Sequence, residues 1–247
     1  MKNISAIVLA AGKGTRMNSD KPKVLHEIRG KPMIEYTLDT LNKLNLAEII
    51  LVVGYSADEV KACTGPKCLF AIQKNPQGGT GDAVKAGLTK VSPESEIILA
   101  IYGDDSAFYK LETLKDFLAS HTSSGNVVSV ITSDQPQIER VGRIIRDEDD
   151  KFKLTMEVWE YEKSGLYSGE VNCCVYLFDK KWLLGHINKI KNDNDKGEYR
   201  ITDVLNIAHS EDTKVGLFKL EDPNEWVGIN TREDLERANK LMGEVNG

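Results

Sequence analysis

Leu9-Ala10-Ala11-Gly12-Lys13-Gly14-Thr15-Arg16-Met17, followed after a short gap by Lys21-Pro22-Lys23-Val24-Leu25, is the stretch on which the reading of this chain turns. Ser5 to Leu9 reads as a buried strand, and the small residues behind it let backbone amides approach a ligand closely. Glycine tolerates the dihedrals of such a turn. Lys13, Arg16, Lys21 and Lys23 then crowd a loop stiffened by Pro22. A strand opening into a glycine- and cation-rich loop is a place to hold phosphates. It is not a standard P-loop, because G-x-x-x-x-G-K-[ST] needs an earlier glycine. It is not the dinucleotide fingerprint either, which needs glycine where Met17 stands.

The rest of the chain sets the frame. With 247 residues and 40% apolar content, one larger α/β domain is expected over 1–247, and a two-domain reading is not required. The net charge of −6 argues against a nucleic-acid partner, so the local basic cluster must attract any anionic substrate. No apolar run has the length of a membrane span and no signal peptide precedes Ile4, so a cytoplasmic, soluble protein is expected. Cys63, Cys68, Cys173 and Cys174 lack zinc spacing and read as small buried side chains. The sequence leaves oligomeric state open.

Apolar runs at Ser5–Leu9, Glu48–Val53, Leu69–Gln73, Ile97–Ile101 and Asn126–Thr132 alternate with helical stretches at Met33–Lys43, Ala57–Cys63, Gly81–Leu88 and Leu111–Ser120. This grammar predicts a Rossmann-like, mostly parallel α/β sheet with helices on both faces, its ligands beyond the carboxyl ends of the strands. The loops at 10–24, 74–80 and 102–109 should converge there. Beyond 135, Val141–Arg146, Phe152–Val158 and Val171–Phe178 read as strands without intervening helices, a smaller mixed or antiparallel lobe. Lys180–Ile190, Thr202–His209 and Arg232–Met242 read as helices and Lys214–Leu220 as a strand, while Asp147-Glu148-Asp149-Asp150 reads as a solvated turn.

Two further segments carry chemistry. Gln73-Lys74-Asn75-Pro76-Gln77-Gly78-Gly79-Thr80-Gly81-Asp82 leaves a strand and opens a helix, with Gln73 offering a donor and an acceptor to a pyrimidine edge. The same segment also reads as a Gly-rich turn capped by Thr80. Tyr102-Gly103-Asp104-Asp105 ends an apolar strand in two carboxylates, and hard cations such as Mg²⁺ seek carboxylate oxygens. If the strand stays extended, Asp105 points away from Asp104's side. Glu157 and Glu160 lie on an expected strand, and Asn230 reads as a cap for the helix near Arg232.

Taken in order, these segments resemble the uridylyltransferase domain of bacterial N-acetylglucosamine-1-phosphate uridylyltransferases. The resemblance also draws on Gly30-Lys31-Pro32-Met33, Gly142-Arg143-Ile144, Glu170-Val171-Asn172, Gly197-Glu198-Tyr199, Ile201-Thr202-Asp203 and Gly228-Ile229-Asn230. It implies a UDP-sugar pyrophosphorylase acting on UTP and a sugar 1-phosphate with Mg²⁺. Leu9, Ala10, Ala11, Gly12, Gly14, Gln73, Gly79 and Thr80 would bind the nucleotide. Arg16 and Lys23 would meet phosphates, and Asp104 with Asn230 would hold the metal. Tyr102, Gly103, Gly142, Glu157 and Asn172, with Asn230, would line the amino-sugar site, Glu157 being preferred to Glu160 by its spacing from Asn172. The chain departs from the family at Asp105-Ser106-Ala107, where Val-Pro-Leu is usual, and at Asn172-Cys173-Cys174, where Asn-Thr-Gly is usual. No hexapeptide repeat follows, so acetyl transfer is not expected. Another sugar phosphate, another pyrimidine nucleotide, or a regulator without catalysis are the competing readings.

Overall fold

Strand Ile4–Ala10 (β1) lies at the heart of a twisted sheet, paired in parallel with Glu48–Val53 (β4) on one side and Ile97–Tyr102 (β6) on the other. The computed structural model describes residues 3–75, 77–138 and 141–245, so Pro76 of the glycine-rich segment lies outside the described residues. Glu27–Ile28 (β2) and Lys31–Pro32 (β3) form a small hairpin after the signature loop. Leu69–Ile72 (β5) extends the sheet in parallel beyond β4.

Every second residue of β1 faces a different helix layer. Ala6, Val8 and Ala10 pack with Met33–Leu41 (α1), Ala57–Thr64 (α2) and Leu111–Ser124 (α4). Ile7 and Leu9 pack with Gly79–Leu88 (α3), Lys180–His186 (α6) and Asp203–Ser210 (α7) on the opposite face. Burial on both faces is why these strands read as continuous apolar runs rather than alternating ones. Among the described residues no helix is long and apolar enough to cross a membrane.

The second half of the chain corrects the expectation of three strands without helices. Val128–Asp134 (β7), Arg143–Arg146 (β8) and Phe152–Met156 (β9) are followed by a helix, Val158–Ser164 (α5), before Glu170–Asp179 (β10). Glu157 and Glu160 therefore do not lie on a strand: they form the capping box of α5. A Glu spaced three residues from the cap is a helix-start pattern that outweighs the alternating Val158-Trp159-Glu160-Tyr161. The acidic run 147–150 is the turn between β8 and β9, as expected, with Asp147 Oδ1 accepting backbone N–H groups of Asp149 and Lys151.

Both halves of the chain contribute strands to one sheet. Strand β10 inserts antiparallel between β6 and β7, and Val215–Lys219 (β11) adds in parallel to β7 at the edge. Nine strands thus share one sheet among the described residues, with β8 and β9 branching from β10. The antiparallel insertion brings the N-terminal end of β10 to the same edge as the carboxyl ends of β1 and β6. Arg232–Val245 (α8) closes the described chain.

The α3–β1 contact is tight. A Cβ on Gly87 would lie 2.5 Å from Ile7 Cγ2. Alanine normally improves a helix by about 1 kcal/mol over glycine, but overpacking a core costs about 1–3 kcal/mol. Gly87→Ala is expected to lower the urea midpoint, and an unchanged or raised midpoint would show that the layers can part freely.

Candidate functional site

The expected convergence of loops occurs at the carboxyl edge of the sheet, around a cleft of about 450 Å³. Leu9, Ala10, Ala11, Gly12 and Gly14 form one wall. Gln73, Gly79 and Thr80 form the next, and Tyr102 and Asp104 close the floor. Gly142, Glu157, Asn172 and Asn230 complete it from the second half of the chain. Gly103 does not reach the cleft lining; it packs beneath, donating its N–H to Leu9 O at 2.9 Å.

Of the four loop cations, the structure brings Arg16 and Lys23 into the cleft. Lys13 lies over the Tyr55 ring, and Lys21 pairs with Glu27 at 2.9 Å. Gly14 has φ +69°, and a Cβ there would strike Lys23 Cβ at 2.6 Å, so the loop folds directly onto the lysine stem. The Lys23 ammonium is buried and donates to Asp104 Oδ2 and, at 2.8 Å, to Asn230 Oδ1. Arg16 Nη2 donates to the same Asn230 oxygen at 2.7 Å. Burial opposes the Lys23 charge, but Asp104 and then Asp105 outweigh it and hold its pKa above the ordinary lysine value.

Asn230 is not the cap of α8. Thr231 Oγ1 accepts Asp234 N–H at 3.2 Å, while Asp234 Oδ2 accepts the N–H groups of Asn230 and Thr231 at 2.9 Å. The Asn230 amide is thereby left for the cations. Next to it, Arg232 ties the signature loop down through Met17 O at 3.2 Å and Asn18 O at 3.0 Å.

Asp104 and Asn230 fit a Mg²⁺ site. One carboxylate and one amide oxygen already converge on a single ammonium. Such a donor set suits a hard ion that takes its remaining ligands from water and phosphate. No cluster of three or more His, Cys, Asp or Glu competes for that role among the described residues.

Asp105 does not point away. The strand ends at Tyr102 and the chain turns, so the extended geometry needed for opposite sides is lost, and Asp105 lines the same cleft. Its Oδ1 accepts the Ile229 N–H at 3.4 Å. Burial, then the Asp104 charge, raise its pKa to about 7, against the pull of Lys23.

On the second wall, Gln73 Nε2 donates to Gly79 O at 3.0 Å and to Asp82 Oδ2 at 3.1 Å, so the donor side of this amide is already taken. Thr80 is not an N-cap: α3 begins at Gly79, and Thr80 Oγ1 accepts Ile201 N–H at 3.0 Å. Gly81 N–H donates to Tyr199 O at 2.7 Å and Tyr199 N–H to Gly78 O at 3.0 Å, knitting the two glycine motifs together.

Glu157, and not Glu160, reaches the cleft. Burial raises its pKa above the usual carboxylate range, against the nearby Arg200 charge. Asn172 is 3% exposed, and its Nδ2 is buried with no partner among the described residues.

Sequence reasoning missed Lys196, Arg200, Thr202 and Trp226, which also line the cleft. Lys196 and Arg200 flank Gly197-Glu198-Tyr199, a basic frame around a glycine that could have flagged them. Trp226 carried no local signal.

Fold and cleft define a nucleotide-diphospho-sugar transferase architecture. A proposed glucose-1-phosphate thymidylyltransferase from Bacillus anthracis, solved in complex with a sucrose, superposes with TM-score 0.81 at 21% identity, covering 96% of this chain and 94% of that one. The inositol-1-phosphate CTP transferase from T. maritima gives TM-score 0.75 at 19% identity, covering 99% and 97%. The chain belongs to the MobA-like NTP transferase domain family, matched over residues 6–209. It is also 39% identical to the bifunctional protein GlmU of Lactobacillus gasseri over 240 residues, 97% of this chain and 52% of that protein. The chain spans about half the length of the curated relatives it matches.

The raised pKa of Asp105 makes stability depend on pH. Between the unfolded value of 3.8 and about 7, the folded state holds the extra proton, so stability is present in acid and lost as pH rises through the folded pKa. Without divalent ions, Asp105→Asn should exceed wild type in urea stability by up to a few kcal/mol at pH 8, the gap narrowing toward pH 5. A pH-independent gap would mean that the carboxylate is well solvated.

Proposed function

We propose that this chain is a Mg²⁺-dependent sugar-1-phosphate uridylyltransferase, converting UTP and N-acetylglucosamine 1-phosphate into UDP-N-acetylglucosamine and pyrophosphate. The observation that carries this reading is the cluster of buried Lys23 with Asp104, Asn230 and Arg16, in the same cleft as Asn172, whose buried Nδ2 has no partner among the described residues. Phosphate groups suit the first and a sugar oxygen suits the second. The likeness to GlmU proteins supports a sugar-1-phosphate nucleotidyltransferase, and the choice of nucleotide and sugar follows the family the sequence resembles. On this reading residues 1–135 supply the nucleotide end and 136–247 the sugar end, with Asn230 returning to the phosphates.

The uracil edge presents N3–H as a donor. With the Gln73 NH₂ held by Gly79 and Asp82, its carbonyl oxygen is the complementary acceptor. The acceptor phosphate is anionic at neutral pH, so its oxygen attacks the α-phosphorus without a general base. A new P–O bond forms as the bond to the pyrophosphate bridging oxygen breaks, and that oxygen keeps the electron pair. Lys23 meets charge on the α-phosphate, and Arg16 meets charge on the departing pyrophosphate. Both cations already stand in the cleft before substrate arrives, held by oxygens of Asp104 and Asn230. Asp104 and Asn230 would hold Mg²⁺, which would supply further charge neutralisation, Lys23 and Arg16 then turning from these oxygens to the phosphates. Glu157 accepts from a sugar hydroxyl while Asn172 donates to a sugar oxygen.

Pyrophosphate release with Mg²⁺ across four nucleoside triphosphates and a panel of sugar 1-phosphates tests the assignment. Turnover confined to UTP and N-acetylglucosamine 1-phosphate is expected. Another productive pair would keep the chemistry and change the substrate, while UDP-sugar binding without any turnover would favour a regulator. Lys23→Ala should lower kcat by at least about 100-fold, as loss of one transition-state donor does, and Asp104→Ala should abolish turnover. A Lys23→Ala enzyme with wild-type kcat would reduce Lys23 to a binding role.

A further inference from the structure

The Asn172 amide is held in one orientation by two donors. Its Oδ1 accepts the backbone N–H of Cys174 at 3.0 Å and the Tyr176 hydroxyl at 3.0 Å. A backbone N–H can only donate, so the atom facing it must be the amide oxygen. That leaves Nδ2, buried and unpartnered, as the group the side chain has free for a ligand. The Asn172 backbone is fixed too, its N–H donating to Gly142 O at 3.0 Å.

The geometry behind this arrangement is local and unusual. The register of β10 against β7 shifts between Asn172 and Tyr176, and Cys174 inside that bulge has φ +58°. The bulge lets Cys174 N–H turn back onto the side chain two residues before it instead of joining the ladder. Tyr176 is fully buried, stacked on Phe178 with ring centroids 5.9 Å apart, so its hydroxyl is delivered by a ring that packing holds in place. It does not line the cleft.

We propose that Tyr176 is a positioning residue which, with the Cys174 backbone, locks Asn172 with its NH₂ toward the cleft and so makes this subsite selective for a hydrogen-bond-accepting oxygen of the sugar. The inference rests on the sugar reading of the cleft given above. A free asparagine amide could turn over and present either end. The lock removes that freedom: flipping Asn172 would put NH₂ against the Cys174 N–H, donor against donor, and leave that buried N–H without an acceptor.

The test is calorimetric titration of UDP-N-acetylglucosamine and of UDP alone into metal-free protein, because the ratio of the two affinities isolates the sugar contacts. Tyr176→Phe keeps the ring and removes only the hydroxyl. It should reduce that ratio about three- to tenfold, the effect of one modest hydrogen bond, and leave UDP affinity within twofold. In an Asn172→Ala background, Tyr176→Phe should change the ratio no further, as expected of a residue acting through Asn172. Urea unfolding of each variant checks that it is folded; if Tyr176→Phe is not, Asn172→Asp, which replaces the NH₂ donor with an acceptor, should abolish the discrimination. A Tyr176→Phe or Asn172→Asp protein that discriminates as wild type does would overturn the lock. An equal loss of affinity for UDP and UDP-sugar would overturn it too. Wild-type protein that binds UDP-sugar no more tightly than UDP would overturn the sugar reading itself, and the inference with it.

Discussion

A buried ammonium group organises this molecule. Lys23 is 8% exposed, and a lysine so placed must be paired or it is too costly to keep charged. Its partners come from the end of β6 and from the segment just before α8, more than 80 residues and more than 200 residues along the chain respectively. The pairing is therefore possible only because β6 lies beside β1 and because the C-terminal segment returns across the signature loop. Gly14 makes room for the lysine stem, and Asn230 shares one oxygen between Lys23 and Arg16. Removing one partner of a buried pair costs about 3–5 kcal/mol because the other charge stays behind. The same arrangement that would be a liability in a core suits a site for polyanions, since incoming phosphate oxygens add counter-charge to cations already in position.

Around this cluster, polar side chains are fixed by their neighbours rather than by solvent. The Gln73 NH₂ is held by Gly79 O and Asp82, which leaves a carbonyl oxygen for a ligand. The Asn172 oxygen is held by Cys174 and Tyr176, which leaves an NH₂ group. Two chemically similar amides in one cleft are thus given opposite character by what they already bond. Glu157 is fixed in a third way, by capping α5. None of these polarities is a property of the residue type, so none could be assigned from composition.

The parallel core was legible because both faces of its strands are buried, which writes each strand as an apolar run: Glu48–Val53 was read with its observed bounds and Ile97–Tyr102 to within a residue. The cations and carboxylates of the signature loop and of 102–105 were legible because glycine, proline and charge interleave there. What failed was of two kinds. Pairings between distant segments, such as β10 entering between β6 and β7, leave no trace in either segment alone. Local readings failed where two patterns overlap: 157–161 alternates like a strand yet carries a capping box, and Asp105 follows a strand whose extended geometry stops three residues earlier. Thr80 had the chemistry of a cap, but the helix starts one residue before it and the hydroxyl serves Ile201.

The departure at Cys174 takes its meaning from the backbone. At φ +58° a residue with a Cβ is strained by about 1–2 kcal/mol relative to glycine, which accounts for the glycine usual at this position in the family the sequence resembles. The strain is tolerated here because the conformation is over-determined. Asn172 Oδ1 receives the Cys174 N–H, Tyr109 donates to Cys173 O at 3.2 Å, and β10 re-enters the sheet at Val175. The interaction that needs the left-handed backbone is made by the main chain, so it survives the exchange of glycine for cysteine. Only the thiol is new, and it lines the cleft together with Asp105, the other departure. The two departures act differently: the Cys174 thiol alters the lining without disturbing the amide orientations, whereas Asp105 adds a charge felt by Lys23.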